Sequence, residues 1–260
     1  MGIAHPYVLR DALESTKPVL TAWSSVPDTG FVSTVARQPF DCVTLDMQHG
    51  GHDERSVYDG VDAVVALHKS CVVRIPVGRF DMASRALDFG ADAVIAPMVN
   101  SVDDAKAFAA AVKYPPVGGR SWGPSRALSI RGLEGGDAHL HNANRATVSF
   151  AMIETREAMT ALDDILAVDG IDGVFVGPAD FSIAWSNGES VDPRRDDMMD
   201  TIAEIAQRAT AVGKYAGIFA VVPSDAPKFH AMGYGLIAIG FDTAVVAAGA
   251  RAVLSAANGS

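Results

Sequence analysis

Cysteine is nearly missing from this chain: there are two in 260 residues, Cys42 and Cys71, and each opens an apolar run. They read as buried small hydrophobes, with neither a disulfide framework nor a CxxC metal site. Positive charge is also scarce. Against 31 Asp and Glu stand 21 Lys and Arg, a net charge of −10, which argues against nucleic acid or an anionic membrane as partner. No apolar run reaches membrane-spanning length. The opening stretch MGIAHPYVLRDALESTKPVL lacks the continuous apolar segment of a signal peptide, so the cytoplasm is the expected compartment. No GxGxxG follows the first strand-like run, no Gly-Lys-Ser/Thr completes a Walker motif near Arg120, and no serine nucleophile elbow occurs. Dinucleotide binding, P-loop chemistry and triad hydrolysis therefore have no motif behind them.

What is present is a globular composition, 49% hydrophobic and 20% charged, with a mean hydropathy of +0.18. Short β-rich runs alternate with helical periodicity. The predicted strands are Val19–Trp23, Cys42–Asp46, Cys71–Pro76, Ala93–Pro97, Val148–Ile153, Gly173–Gly177, Tyr215–Ala220 and Leu236–Gly240. In SVDDAKAFAAAV, Ser101 reads as an N-cap before the face Ala105, Phe108, Ala109 and Val112. In TREAMTALDDILAV, Thr155 caps a helix carrying Met159, Leu162, Ile165 and Leu166. Apolar strands alternating with helices indicate a parallel sheet covered by helices, and eight such units match an α/β fold of the (β/α)8 TIM-barrel type. A doubly wound open sheet is the weaker alternative. One barrel domain over residues 1–260 is expected, with a long irregular insertion at 114–144, rich in Gly and Arg.

In such a barrel, chemistry collects at the C-terminal ends of strands. There the sequence places Asp46, Gln48 and His49 after the second strand, Arg74 within the third, Glu154 after the fifth and Asp180 after the sixth. Singly, Asp46 or Asp180 reads as a helix cap, His49 and His52 as structural imidazoles and Glu154 as a rim carboxylate. Arg74 is different, because a charge inside the run CVVRIP needs an anionic partner. Two carboxylates on adjacent strands, without thiolates, suit a hard cation such as Mg²⁺ or Mn²⁺. A 2-oxo acid could fill its vacant positions, Arg74 could bind the enolate oxygen and His49 could move a proton. No lysine stands at a strand's C-terminal end: Lys17, Lys69 and Lys214 precede strands, and Lys106, Lys113 and Lys228 fall in helical segments. A Schiff-base aldolase is thereby disfavoured.

The segments LDMQHG, RIPVG, APMVNSVDDAKAFAAAVKYPPVGGRS, MIETREAM and DGVFVGPADFS resemble the HpcH/HpaI aldolase family, metal-dependent 2-keto-3-deoxy acid aldolases of the phosphoenolpyruvate/pyruvate barrel superfamily. The resemblance runs from about Trp23, a substrate-side candidate, to the last strand. It implies a divalent cation (Mg²⁺, Mn²⁺ or Co²⁺) on Glu154 and Asp180, with Arg74 holding the 2-oxo acid. His49 becomes the base, with Asp46 beside it and Asp88 of a neighbouring subunit assisting. Gly177, Pro178, Ala179 and Asp180 would meet the substrate carboxylate. A homo-oligomer, in the family a hexamer, is implied. Two departures bear on the donor: Met152 stands where many members carry glutamine, and Gln48 where many carry glutamate.

The expected activity is metal-dependent, class II cleavage of a 4-hydroxy-2-oxo acid to pyruvate or hydroxypyruvate plus an aldehyde. Arg120 and Arg126 are the expected contacts for the aldehyde's distal groups. The alternatives are a citryl- or malyl-CoA-type lyase or an oxaloacetate decarboxylase of the same superfamily, and a non-catalytic barrel that binds a 2-oxo acid.

Overall fold

All eight apolar runs form strands. In the computed structural model, which describes residues 5–133 and 135–259, they are β1 (Val19–Ser24), β2 (Cys42–Asp46), β3 (Ser70–Arg74), β4 (Ala93–Ala96), β5 (Val148–Ile153), β6 (Gly173–Val176), β7 (Tyr215–Ala220) and β8 (Leu236–Phe241). Each pairs in parallel with its sequence neighbours, and β8 returns to β1 to close the barrel. Strands β3 and β4 stop short of Pro76 and Pro97, which have no N–H to give the ladder.

Helices cover the strands. They are α1 (Leu9–Leu13), α2 (Thr29–Ala36), α3 (Glu54–Val65), α4 (Phe80–Phe89), α5 (Val102–Val112), α6 (Ser125–Arg131) and α7 (Gly136–Ala146). Then come α8 (Arg156–Thr160), α9 (Leu162–Leu166), α10 (Pro178–Trp185), α11 (Asp196–Ala211), α12 (Ala226–Met232) and α13 (Asp242–Asn258). Ser101 caps α5, its hydroxyl accepting from the Asp104 N–H at 3.1 Å, and the face expected from the sequence is buried. Thr155 caps α8 in the same way, but the single helix expected there breaks at Ala161 into α8 and α9.

The segment 114–144 is not irregular, because it holds α6 and α7. Each of these helices buries only two side chains, Ala127 and Arg131 in α6, His139 and Ala143 in α7, so little apolar periodicity marks them. Asn144 ties the segment closed, accepting from the Tyr114 N–H at 2.7 Å and donating to the Tyr114 carbonyl at 2.9 Å. Because it connects α5 to β5, this segment lies at the N-terminal rim of the barrel, opposite the mouth where strands end.

Alternation along each strand sends one parity inward. Val19, Val72, Ile95, Val148, Phe150, Leu236 and Ala238 fill the interior, and Leu9 and Leu13 of α1 pack against them from below. The last inward positions, Trp23, Asp46, Arg74, Met152, Phe175 and Phe219, form the floor of the mouth. Below, the N-terminal rim is tied by Asp172, which accepts from Lys113 at 2.6 Å, Arg10 at 2.7 Å and the Ser149 N–H at 2.9 Å. Burial alone would raise the Asp172 carboxyl, but Lys113 and Arg10 outweigh it and hold it low. Its contribution to stability is therefore present above the ordinary carboxylate range near pH 4 and is lost only as pH falls through its lowered pKa. Lys113→Met strips the carboxylate of one buried cation and is expected to cost about 3 kcal/mol in urea unfolding at pH 7. An unchanged midpoint would contradict this account of the rim.

Among the described residues no helix is long and apolar enough to cross a membrane. The last helix, α13, touches mainly β8 and β1 at its base. Beyond Asp242 it leaves Val245, Val246, Val253 and Leu254 exposed.

Candidate active site

Asp46 and Arg74 occupy the same level of β2 and β3, aligned by the strand register. The Arg74 Nε donates to Asp46 Oδ1 at 2.8 Å and its terminal nitrogen to Oδ2 at 2.7 Å, a two-pronged ion pair with Asp46 fully buried. Asp46 also accepts from the Trp23 indole N–H at 3.2 Å and the Gln48 backbone N–H at 3.0 Å. The guanidinium lies 4.8 Å from the Trp23 ring centre. Burial pushes the Asp46 carboxyl up, yet the bonds from Arg74 bring it below its ordinary value. Asp46 meets His49 through a backbone N–H contact of 3.4 Å, while both its oxygens accept from Arg74.

Glu154 follows the last inward residue of β5. Its Oε1 accepts from the Met98 N–H at 2.8 Å, whereas its Oε2 is buried with no hydrogen-bond partner among the described residues. Met98 delivers that N–H from a left-handed conformation, φ 54°, which costs a non-glycine residue energy and is found where a site requires it. Burial, with the Asp180 charge added, pushes the Glu154 carboxyl up to about 7 against the pull of Met98 and Arg74. Asp180 lies in the first turn of α10, behind Gly177 as N-cap and Pro178 at the first helical position. A Cβ on Gly177 would stand 2.6 Å from Glu154 Oε2 and 2.9 Å from the Met152 methyl, so only glycine leaves that space open.

Beside these groups is a cavity of about 330 Å³ lined by Trp23, His49, Arg74, Met152, the 177–180 turn and a set of apolar side chains. Chemically it offers the Asp180 carboxylate and a locked guanidinium, and the unpaired Glu154 Oε2 lies against Gly177 in its wall. Among the described residues no three His, Cys, Asp or Glu side chains gather as a metal cage. Two carboxylates with the remaining positions left to water and substrate are a Mg²⁺-like donor set, and the orphaned Oε2 fits one.

The structure does not bring every candidate here. Asp88 ends α4 at the opposite rim, paired with Arg120 at 2.6 Å. It could reach a site only as a neighbouring subunit's residue. Arg120 and Arg126 are likewise outside this cavity, since both belong to the N-terminal-rim segment, Arg126 lying 3.4 Å over the Tyr58 ring. His52 is structural, buried between Ser24 at 3.1 Å and Ser56 at 3.2 Å. Among the described residues no lysine lines the cavity. Sequence reading missed Met98 and the apolar lining Phe175, Val191, Pro193, Phe219, Val221 and Phe241. The ends of the last two strands carry Phe219 and Phe241 in plain view, but only barrel closure makes them neighbours of Trp23.

The profile of the HpcH/HpaI aldolase/citrate lyase family matches residues 20–248. The chain belongs to this family. A hydroxypyruvate/pyruvate aldolase from Rhizorhabdus wittichii is 36% identical over 247 residues, 95% of this chain and 97% of that protein. A 4-hydroxy-2-oxo-heptane-1,7-dioate aldolase from Salmonella dublin is 33% identical over 244 residues, 94% of this chain and 92% of that protein. A solved HpcH/Hpal aldolase/citrate lyase family protein from Burkholderia cenocepacia superposes with a TM-score of 0.85 at 25% identity, covering 97% of this chain and 99% of that one. This member of the family is a carbon–carbon lyase.

Proposed function

We propose that the chain is a divalent-metal-dependent, pyruvate-type aldolase that reversibly cleaves a 4-hydroxy-2-oxo acid to pyruvate or hydroxypyruvate and an aldehyde. The observation that carries the reading is the orphaned, buried Glu154 Oε2, which lies against Gly177 at the wall of the cavity lined by Asp180, Arg74 and His49 and feels the Asp180 charge. Glu154 and Asp180 would hold Mg²⁺, Mn²⁺ or Co²⁺. When bound, the ion supplies Lewis-acid polarisation of the 2-oxo group and neutralises its charge.

The protein's own residues do the rest. Arg74, its fork anchored by Asp46, offers its remaining N–H groups to the oxygen that becomes negative as the C3–C4 bond breaks. Backbone N–H groups at the start of α10, at Ala179 and Asp180, receive the substrate carboxylate. His49, exposed at the lip of the cavity, takes the C4 hydroxyl proton, directly or through water, as the C3–C4 electron pair moves into the enolate. The proton then returns to C3, giving the 2-oxo acid and the free aldehyde. Met152 is almost fully buried and offers only a thioether at the donor side.

The test is retro-aldol release of pyruvate or hydroxypyruvate by chelator-stripped protein, with metal added back and borohydride present or absent. Turnover is expected only with metal, and borohydride is expected to trap no lysine adduct. Metal-independent turnover would contradict the proposal.

Self-association is part of the reading. Val245, Val246, Val253 and Leu254 on α13 would remain in water in a monomer, and Asp88 can assist His49 only from a neighbouring copy. Light scattering is expected to give several times the chain mass of 27.2 kDa, as a hexamer would. A single-chain mass would contradict it.

A further inference from the structure

The His49 imidazole makes no hydrogen bond of its own among the described residues, so its place at the lip of the cavity is set by the backbone that carries it. That backbone, residues 47–52, is pinned at three points. At its start the Gln48 N–H donates to Asp46 Oδ1 at 3.0 Å. In its middle the Gly51 N–H donates to the Ser25 carbonyl at 2.8 Å. A Cβ on Gly50 would stand 2.4 Å from the Asp46 carbonyl oxygen and 3.0 Å from Ser25 Cα, so the loop lies flat against the turn that follows β1. At its end stands His52.

His52 closes the loop from the inside. Its Nε2 lies 3.1 Å from the Ser24 hydroxyl and its Nδ1 3.2 Å from the Ser56 hydroxyl. Ser24 donates to Asp242 Oδ2 at 3.3 Å, and the same oxygen accepts from the Ser25 and Val26 N–H groups at 2.7 and 2.9 Å. With the Ser24 proton given to the carboxylate, its oxygen accepts from Nε2–H, and Nδ1 is left to accept from Ser56. Burial pushes the His52 imidazole down against the pull of Asp242, Asp46 and Asp53, which keeps the ring neutral at neutral pH. Asp242, the first residue of α13, thus holds the turn after β1, and His52 ties the His49 loop to that turn. Ser24, His52 and Asp242 are 0%, 5% and 2% exposed within the single chain. The clamp is therefore independent of any neighbouring copy, whose Asp88 would meet only the His49 ring.

Resting on the aldolase reading, we infer that His52 is a positioning residue for proton transfer at His49, acting through Ser24 and Asp242. Its structural bonds reach the chemistry in this way. A base works only within hydrogen-bond reach of the proton it moves, and a displacement of about 1 Å costs on the order of 100-fold in rate.

Exchange of the pyruvate methyl protons in D₂O reads this step without an acceptor. A C3–H bond breaks, the proton passes to His49, the electron pair enters the enolate, and a deuteron returns by the same path. The experiment compares Mg²⁺-loaded wild type, His52→Ala, Ser24→Ala and His52→Gln, with calorimetric counting of pyruvate sites and amide hydrogen exchange of the metal-free proteins. Ser24→Ala deletes one hydroxyl and tests the clamp without the cavity that His52→Ala leaves. Both alanine variants are expected to exchange about 10- to 100-fold more slowly per pyruvate-loaded site, with the count of sites and their affinity unchanged. The Gly51 N–H is expected to exchange faster in both, because the clamp holds it against Ser25. His52→Gln, whose amide still donates to Ser24, is expected to restore most of the rate. An unchanged rate per loaded site, a rate loss matched by lost pyruvate sites, or a His52→Gln as slow as His52→Ala would overturn the positioning role and leave the aldolase reading standing. Absence of exchange in the wild type with any added metal would remove the aldolase reading and this inference with it.

Discussion

Glu154→Gln is expected to abolish aldol turnover, by about 1000-fold or more, while making the metal-free protein more stable. The two effects have one cause. Without an ion, the buried carboxylate with its unpartnered Oε2 beside Asp180 is a liability, and its pKa is pushed up from 4.5 to about 7. A raised acid contributes its full stability below the unfolded value near 4.5 and loses it as pH rises to about 7. At pH 8 the ionised group therefore costs the metal-free fold about 3 kcal/mol. Glutamine keeps an oxygen for the Met98 N–H and removes the charge. Urea unfolding of stripped wild-type and variant protein at pH 8 and pH 4 checks this: the variant's advantage should appear at pH 8 and vanish at pH 4. A variant that is less stable at pH 8 would show that Glu154 is a structural acid.

Arg74→Ala should fail in the opposite way, losing both activity and stability. Turnover is expected to fall about 100- to 1000-fold, because the site loses a fixed donor to the developing enolate oxygen. Stability at pH 7 is expected to fall about 3 kcal/mol or more, because Asp46 is left buried without its ion pair. In the wild type the lowered Asp46 pKa means its contribution is present above the ordinary carboxylate range and lost as pH falls below it. In Arg74→Ala the lone carboxyl is raised instead, so the deficit should be largest at pH 7 and shrink toward pH 4. Adding Asp46→Asn should restore most of the stability and none of the turnover, which separates the scaffold role of the pair from its chemical one. Thermal melts and steady-state kinetics on the three variants give both readouts.

The barrel was legible because most strands are continuous runs of buried residues and most gaps carry a helical pattern. Ser101 and Thr155 were legible as caps because the cap's hydrogen bond is local in sequence. Glu154 stood out as an acid directly after an apolar strand, and Asp180 as one in the turn that follows the next. The Asp46–Arg74 pairing was only half legible: a buried Arg74 called for an anionic partner, but which acid it meets depends on the register of β2 against β3. Met98 gave no signal, since neither a positive φ nor a backbone N–H is written in a side chain. Arg120 and Arg126 lie away from the cavity of their own chain because the segment between α5 and β5 serves the other rim, which loop composition does not reveal.

The most direct measurement follows the methyl protons of pyruvate in D₂O by NMR with chelator-stripped protein, before and after Mg²⁺ or Mn²⁺ is restored, and needs no acceptor. Exchange that starts on metal addition, is absent in Glu154→Gln and is indifferent to borohydride is the result expected of a site built from Glu154, Asp180 and Arg74. Exchange that proceeds without metal, or that persists in Glu154→Gln, would contradict it.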